Sequence, residues 1–297
     1  MNSPLQNTEN KNLIILHLTV FIWGFTGILG ALISISSVQL VWYRVLIASL
    51  TLFIYFLITK KNINVSRSLF LKFFFTGSIV AAHWIFFFYA IKVSTVSVAL
   101  ICISSITLFT SILEPLVKKQ RLSKADILIG FVIILGISLI FKFETQYTTG
   151  IIFGLITALA ASIFSTINST FVQKNEPSII GFYELIGAFF WISLYRIYDG
   201  TLKQETFHLS SADWIYLIIL GTICTALAYV AGVAVMRTIS AFKVALITNL
   251  EPVYGILIAY LCFGKKEQMT TGFYVGAILV LAAVFIYPIY KKRKNLN

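Results

Sequence analysis

Apolar residues fall in long, nearly unbroken runs along this chain, and polar residues act as short punctuation between them. Ten runs stand out, at 13–33, 38–59, 69–91, 94–117, 125–142, 149–172, 178–198, 214–236, 240–263 and 270–290. None alternates apolar and polar positions as a barrel strand would. Each is long enough to cross a ~30 Å hydrocarbon layer as an α-helix rising ~1.5 Å per residue. Lipid offers the backbone no hydrogen-bond partner, so a helix, whose bonds are internal, is what such runs adopt. The pattern predicts an all-α polytopic membrane protein with ten transmembrane helices. The connections are short, apart from those around Lys60-Lys61 and from Thr201 to Ser211.

Composition agrees. Of the 297 residues 59% are hydrophobic and 11% charged, with mean hydropathy +0.92. A soluble domain carries roughly 25% charged residues, because most of its surface must be wettable. This excludes a soluble enzyme, a disordered chain and a secreted disulfide domain. Cys102, Cys224 and Cys262 lie inside apolar runs without ligand spacing and read as small core residues. The polar start, Asn2 to Asn12, lacks the basic start and cleavage site of a secretory signal.

The net charge of +12 carries orientation rather than nucleic-acid binding. With the N-terminus placed inside, 16 of the 23 Lys and Arg residues fall on the inner side, including Lys291, Lys292, Arg293 and Lys294, and 6 on the outer. Both termini are therefore expected in the cytoplasm.

The chain also repeats itself. Val98–Ile101 recurs at Val244–Ile247, an offset of 146. The run from Lys118 to Leu122 matches that from Lys265 to Met269, and Tyr43–Ile47 faces Tyr183–Gly187. Runs 1–5 map onto runs 6–10, which predicts one five-helix repeat at 1–147 and a second at 148–297. Five is odd, so the second copy enters the membrane upside down. Inverted repeats let two halves exchange roles around a midplane site.

These features resemble the EamA family of permeases, in the drug/metabolite transporter superfamily. The resemblance runs from about residue 13 to 290. It rests on Trp23–Ile33, Ala81–Leu100, Thr110–Lys119, Asn249–Glu267 and Thr271–Pro288. It implies a multi-pass protein of a bacterial plasma membrane. It further implies secondary active transport, often export, of a small amino acid-like or drug-like metabolite through a central cavity between the repeats. Partners would be that small molecule, protons and the lipid bilayer, with no nucleic acid and a monomeric or homodimeric state. No cofactor is expected, and His17 and His208 share no metal-binding spacing with other residues. A membrane subunit without transport, and a membrane enzyme acting on lipid-linked substrate, are the competing readings. Against the enzyme, Asp126, Asp199 and Asp213 are solitary.

A charge at the centre of a spanning helix costs roughly 2.5–3.5 kcal/mol on insertion scales, so each one calls for a reason. Glu251 lies about eleven residues into its run, near mid-depth of a ~30 Å core. Pro252 follows it, and a proline ring clashes with the carbonyl four residues back, here that of Thr248. Thr248, Asn249 and Glu251 thus gather polar groups beside a weakened turn, where transporters bind ions and polar substrates. A carboxyl that loses water there favours its neutral form, so Glu251 is the candidate proton carrier.

Arg44 and Glu184 occupy equivalent repeat positions with opposite charge, but about 12 Å apart in depth, too far for a direct pair. Arg44 and Glu251 differ by only ~7 Å in depth, within an arginine's reach. The alternative is that Arg44 and Glu184 extend toward opposite surfaces as anchors. His83 is a candidate proton group, and Trp84 a wall for a ring-bearing or cationic substrate. Asn168 is a candidate cavity residue. Glu114, beside Lys118, Lys119 and Arg121, reads as a possible gate or a helix-end salt bridge. Gly150, Gly154, Ala158, Ser162, Thr166 and Thr170 form a ridge of small residues for close helix approach. Polar groups on runs 1, 3, 4, 6, 8 and 9 should converge at mid-depth, with runs 5 and 10 at the periphery.

Overall fold

The computed structural model describes the chain at residues 4–120, 124–204 and 209–294, with side chains at 8–120, 128–202, 209–283, 285 and 286. Arg121, His208, the Asp126 side chain and the basic side chains at 291–294 lie outside the described residues.

Among the described residues the chain is helical, without strands. The first half comprises α1 (Pro4–Leu32), α2 (Ser37–Thr59), α3 (Arg67–Val93), α4 (Val96–Ile103), α5 (Ile106–Val117) and α6 (Lys124–Phe143). The second comprises α7 (Thr148–Phe171), α8 (Pro177–Tyr198), the short α9 (Thr201–Gln204), α10 (Ser211–Gly221), α11 (Ala228–Val235), α12 (Ala241–Thr248), α13 (Leu250–Phe263) and α14 (Thr271–Lys294). Eight helical stretches are long and apolar enough to cross a membrane, and runs 5 and 10 give shorter apolar helices at Leu128–Phe143 and Thr271–Ala283.

Helix starts follow local chemistry. Ser36, Ser66, Thr95, Ser210 and Ser240 each accept a hydrogen bond from the backbone N–H three residues on. This satisfies donors that a helix start leaves open. The polar N-terminal stretch continues α1 backward rather than standing apart, tied down by Lys243–Glu9 at 2.7 Å and by Asn12 Nδ2 donating to Thr238 Oγ1.

Three runs are discontinuous. Run 9 breaks at Asn249, so Pro252 sits in the first turn of α13, where its missing N–H costs little. Run 4 breaks at Ser104-Ser105, the equivalent place in the other repeat. Run 8 passes through a π-helical turn, Thr222–Leu227, between α10 and α11. The sequence pointed only to the first of these, because only that one carries a proline at its break.

Packing is unchanged when runs 1–5 are exchanged with runs 6–10. The α3 helix lies along α7 and α8, as α10–α11 lies along α1 and α2. The α4–α5 pair packs on α7, as the α12–α13 pair packs on α1. The self-paired contacts are α2 with α8, α6 with α14, and α4–α5 with α12–α13. Runs 5 and 10 thus join the two halves, rather than only supporting their own.

Close approaches use glycine. A Cβ at Gly77 would strike the Glu184 carbonyl, and one at Gly187 the Phe74 carbonyl, so the α3 and α8 backbones touch. The α7 ridge behaves similarly, with Gly150 against Ser94, Gly154 against Cys102 and Ser162 bonded to Thr110. Its last member, Thr170, is exposed and bonds its own helix. Leu18, Ile58, Phe75, Ile197, Leu227 and Leu261 stand on the outside of the bundle, the apolar coat a lipid-facing surface needs. Cys262 is exposed as well, which corrects its reading as a core residue; Cys102 and Cys224 are buried.

Candidate functional site

A cavity lies between the two halves, about 800 Å³ including its mouth. Runs 1, 3 and 4 contribute Trp23, Thr26, His83, Trp84, Phe87, Ile103 and Ile106. Runs 6, 8 and 9 contribute Ala161, Phe164, Ser165, Tyr229, Val233, Met236, Val244, Thr248 and Glu251. Run 2 adds Arg44, which the expected set of runs left out. The cavity extends from Arg44 toward the turn between α11 and α12.

Glu251 has the barest carboxylate of the site. It lines the cavity, is 6% exposed, and has no hydrogen-bond or ion-pair partner among the described residues. The break at Asn249 puts it in the first turn of α13, where the exposed backbone N–H groups favour negative charge. Thr248 lines the cavity while its hydroxyl donates to Val244 O at 2.9 Å. Asn249 turns the other way. Its Nδ2 donates to Thr107 Oγ1 at 2.6 Å and to Ala245 O at 2.7 Å, tying one broken run to the other. Asn249 and the buried Pro252 shape the break between α12 and α13 rather than the cavity wall.

Arg44 does not form the direct ion pair with Glu251 that depth alone allowed. Its Nε donates to Thr225 Oγ1 at 2.6 Å, and its guanidinium lies 4.1 Å from the centre of the Trp84 ring. Thr225 sits in the π-helical turn and itself donates to Leu220 O, five residues back. The wide turn therefore presents a hydroxyl to the arginine, in keeping with the frequent siting of π-bulges at functional positions. Arg44 Nη1 has no partner. A guanidinium held by one acceptor and the faces of Trp84 and Phe88 keeps part of its fork uncommitted, the part an anionic group could engage.

His83 Nδ1 lies 3.0 Å from Thr157 O, and Thr157 Oγ1 donates to His83 O. This network assigns the proton to Nδ1 and leaves Nε2 as an acceptor. Trp84 stands edge-on to Tyr229, with ring centres 5.6 Å apart.

Glu184 and Asn168 lie behind the wall. Tyr229 Oη donates to Glu184 Oε2 at 2.7 Å, and Asn168 Nδ2 donates to the same oxygen at 3.1 Å. Glu184 is fully buried, so it is no surface anchor, and it does not meet Arg44. Glu114 lies away from the cavity. Its Oε2 accepts from Phe242 N at 2.8 Å, at the start of α12, and its Oε1 pairs with Lys118 at 2.5 Å.

Sequence reasoning missed Thr225, Tyr229 and Glu267. Thr225 and Tyr229 are two of the few polar groups, with Tyr216 and Thr222, of an otherwise apolar stretch, the signal that could have found them. Glu267 accepts from Val96 N at 3.0 Å, Ser97 N at 2.9 Å and Ser97 Oγ at 2.7 Å. It caps α4 from the opposite half, at the opposite end of the bundle from the Glu114 contact. No group of three or more His, Cys, Asp or Glu able to hold a metal occurs among the described residues.

A helical bundle with an aromatic, charge-bearing cavity between two repeats defines a multi-pass membrane protein of the transporter class. The chain belongs to the EamA-like transporter family, whose model matches residues 10–142 and again 148–287. That membership points to a transporter rather than an enzyme. A curated relative from Archaeoglobus fulgidus, described as an "uncharacterized transporter", is 24% identical over 154 residues, 52% of this chain and 53% of the relative. The chain thus matches about half the length of that relative. A solved structure titled "Crystal structure of protein" is 13% identical and covers 95% of this chain and 98% of its own, with a TM-score of 0.69. That likeness shows the fold alone.

Proposed function

We propose that this protein is a secondary active transporter that exports a small amphipathic metabolite, amino acid-like or drug-like, by alternating access. In this reading ten helices cross a bacterial plasma membrane with both termini in the cytoplasm. The repeats are 1–147 and 148–297, and the cavity of this structure runs toward the cytoplasmic end. The observation that carries the proposal is a bare carboxyl, Glu251, in the wall of a cavity shared by both halves.

The division of labour follows from the contacts. Trp23, Trp84, Phe87, Phe164 and Tyr229 offer flat apolar walls for a ring or alkyl body. Arg44 has a nitrogen without a hydrogen-bond partner to offer a substrate carboxylate, and Glu251 in the cavity wall can take a proton. A carboxylate arriving at Arg44 would weaken the pull of that cation on Glu251 and favour its protonation. Substrate and proton then load in a linked step. The alternative of a non-transporting subunit leaves the cavity and its two charges without a use.

A thermal-shift screen with amino acids, nucleobases and amines identifies a ligand. Flux of that ligand into proteoliposomes is then measured at equal and unequal pH. Wild-type flux should respond to the gradient, and Glu251→Gln should keep binding but lose that response entirely. Wild-type pH dependence in the variant would remove Glu251 from the mechanism.

A further inference from the structure

The side chains of Glu184 on α8 and Asn168 on α7 are joined through one atom of each, Oε2 and Nδ2, at 3.1 Å. The remaining atom of each, Glu184 Oε1 and Asn168 Oδ1, is buried and has no hydrogen-bond partner. Both are acceptors. Two buried acceptors left over on a bonded pair are short of one hydrogen. A proton on Oε1, donated to Oδ1, supplies it and closes the carboxyl–amide pair with a second hydrogen bond.

Among the described residues no cation pairs with Glu184. Arg44, on the neighbouring α2, is held by Thr225 and Trp84. On α3, His83 is held by Thr157, Lys92 donates to Ile33 O, and Arg67 and Lys72 sit in the outer turns. From α11 the titratable group that meets Glu184 is Tyr229, a donor. A fully buried carboxylate without a cation beside it is costly, and a proton removes the cost.

We infer that Glu184 and Asn168 form a second proton-binding site, set behind the cavity wall and linked to the cavity by Tyr229. The Tyr229 ring lines the cavity and its hydroxyl donates to Glu184. An occupant that draws this hydroxyl toward itself removes a donor from the carboxylate and favours the protonated form. An occupant therefore tightens the hold on a proton that the site already carries when the cavity is empty. What the proton does rests on the transport reading, but the proton itself can be observed without a substrate.

The experiment is infrared difference spectroscopy of the full-length protein in lipid nanodiscs at neutral pH, in H₂O and D₂O. A carboxylic C=O band that shifts in D₂O should be present in the wild type and absent from Glu184→Gln, and should persist in Glu251→Gln. A band unchanged by Glu184→Gln overturns the inference. A band lost only in Glu251→Gln overturns it too, while leaving the transport reading intact. Should Glu184→Gln not fold, Tyr229→Phe decides. Losing a donor to the carbonyl oxygen must raise the band's frequency, and an unmoved band overturns the inference.

Discussion

The carboxylates at the ends of the bundle and those at its middle are treated in opposite ways. Glu267 accepts three hydrogen bonds, two of them from the buried first-turn N–H groups of α4, which have no partner within the helix. Asp213 accepts from Ser34 N, Ser34 Oγ and Ser210 Oγ, stitching the α1–α2 turn to α10. Glu144 accepts from Thr270 N at the start of α14. Around the cavity, Glu251 has no hydrogen-bond or ion-pair partner among the described residues, and Glu184 leaves one oxygen bare. The lesson is one of role. A carboxylate saturated by backbone donors locks two helices together, while one left hungry in a low-dielectric interior is available to a proton or a ligand.

Glu267 should show the locking role most strongly. In Glu267→Gln the amide N–H₂ would face the Val96 N–H if turned one way, and the Ser97 N–H and hydroxyl if turned the other. Hydrogen bonds to a charged group contribute about 1.5–3 kcal/mol each, so a loss of about 2–3 kcal/mol is expected. Denaturant or thermal unfolding in detergent measures it. Glu114→Gln should cost less, about 1 kcal/mol, because it gives up one backbone donor and a partly exposed Lys118. Equal costs would blur the distinction between an engaged cap and a partial one.

The smallest effect belongs to Glu176, in the turn between α7 and α8, 3.2 Å from Lys61 and 3.6 Å from Arg237. Burial works to raise its carboxyl. The bond and charge of Lys61, with Arg237 behind, outweigh it and hold the group below its ordinary value. A depressed carboxyl stabilises the fold above its unfolded value, and that contribution is lost as pH falls through the folded one. Hydrogen exchange in residues 173–177, corrected for intrinsic rate, should therefore quicken as the pH falls through the carboxylate range. Glu176→Gln should exchange at the quick rate throughout. The pair is exposed, so global stability should barely move.

Much of this organisation was legible in the sequence. Run lengths gave the helices, because lipid leaves a helix as the one way to satisfy so apolar a backbone. The proline after Glu251 gave the break in run 9. The break at Ser104-Ser105 had no such mark, since a serine pair is equally at home in a continuous helix. The partner of Arg44 was hidden because it depends on a π-helical turn, which shifts Thr225 by an amount no 3.6-residue period foretells. Tyr229 was hidden because a tyrosine in an apolar run reads as core until its hydroxyl finds a carboxylate. Glu267 was hidden because it lies in a basic loop, where a carboxylate looks like a surface residue. Asn249 stood out as a polar residue beside Glu251, yet its side chain ties the break in run 9 to run 4 instead of lining the cavity.

The contrast between saturated and bare carboxylates is tested most directly by melting Glu251→Gln and Glu267→Gln side by side, in one detergent at one pH. Glutamine changes size little in either case and removes the charge. The account predicts that Glu267→Gln melts well below the wild type while Glu251→Gln melts at or above it, since an unpartnered buried charge contributes nothing to the fold. A Glu251→Gln variant that melts as low as Glu267→Gln would contradict it, and would make Glu251 a structural residue.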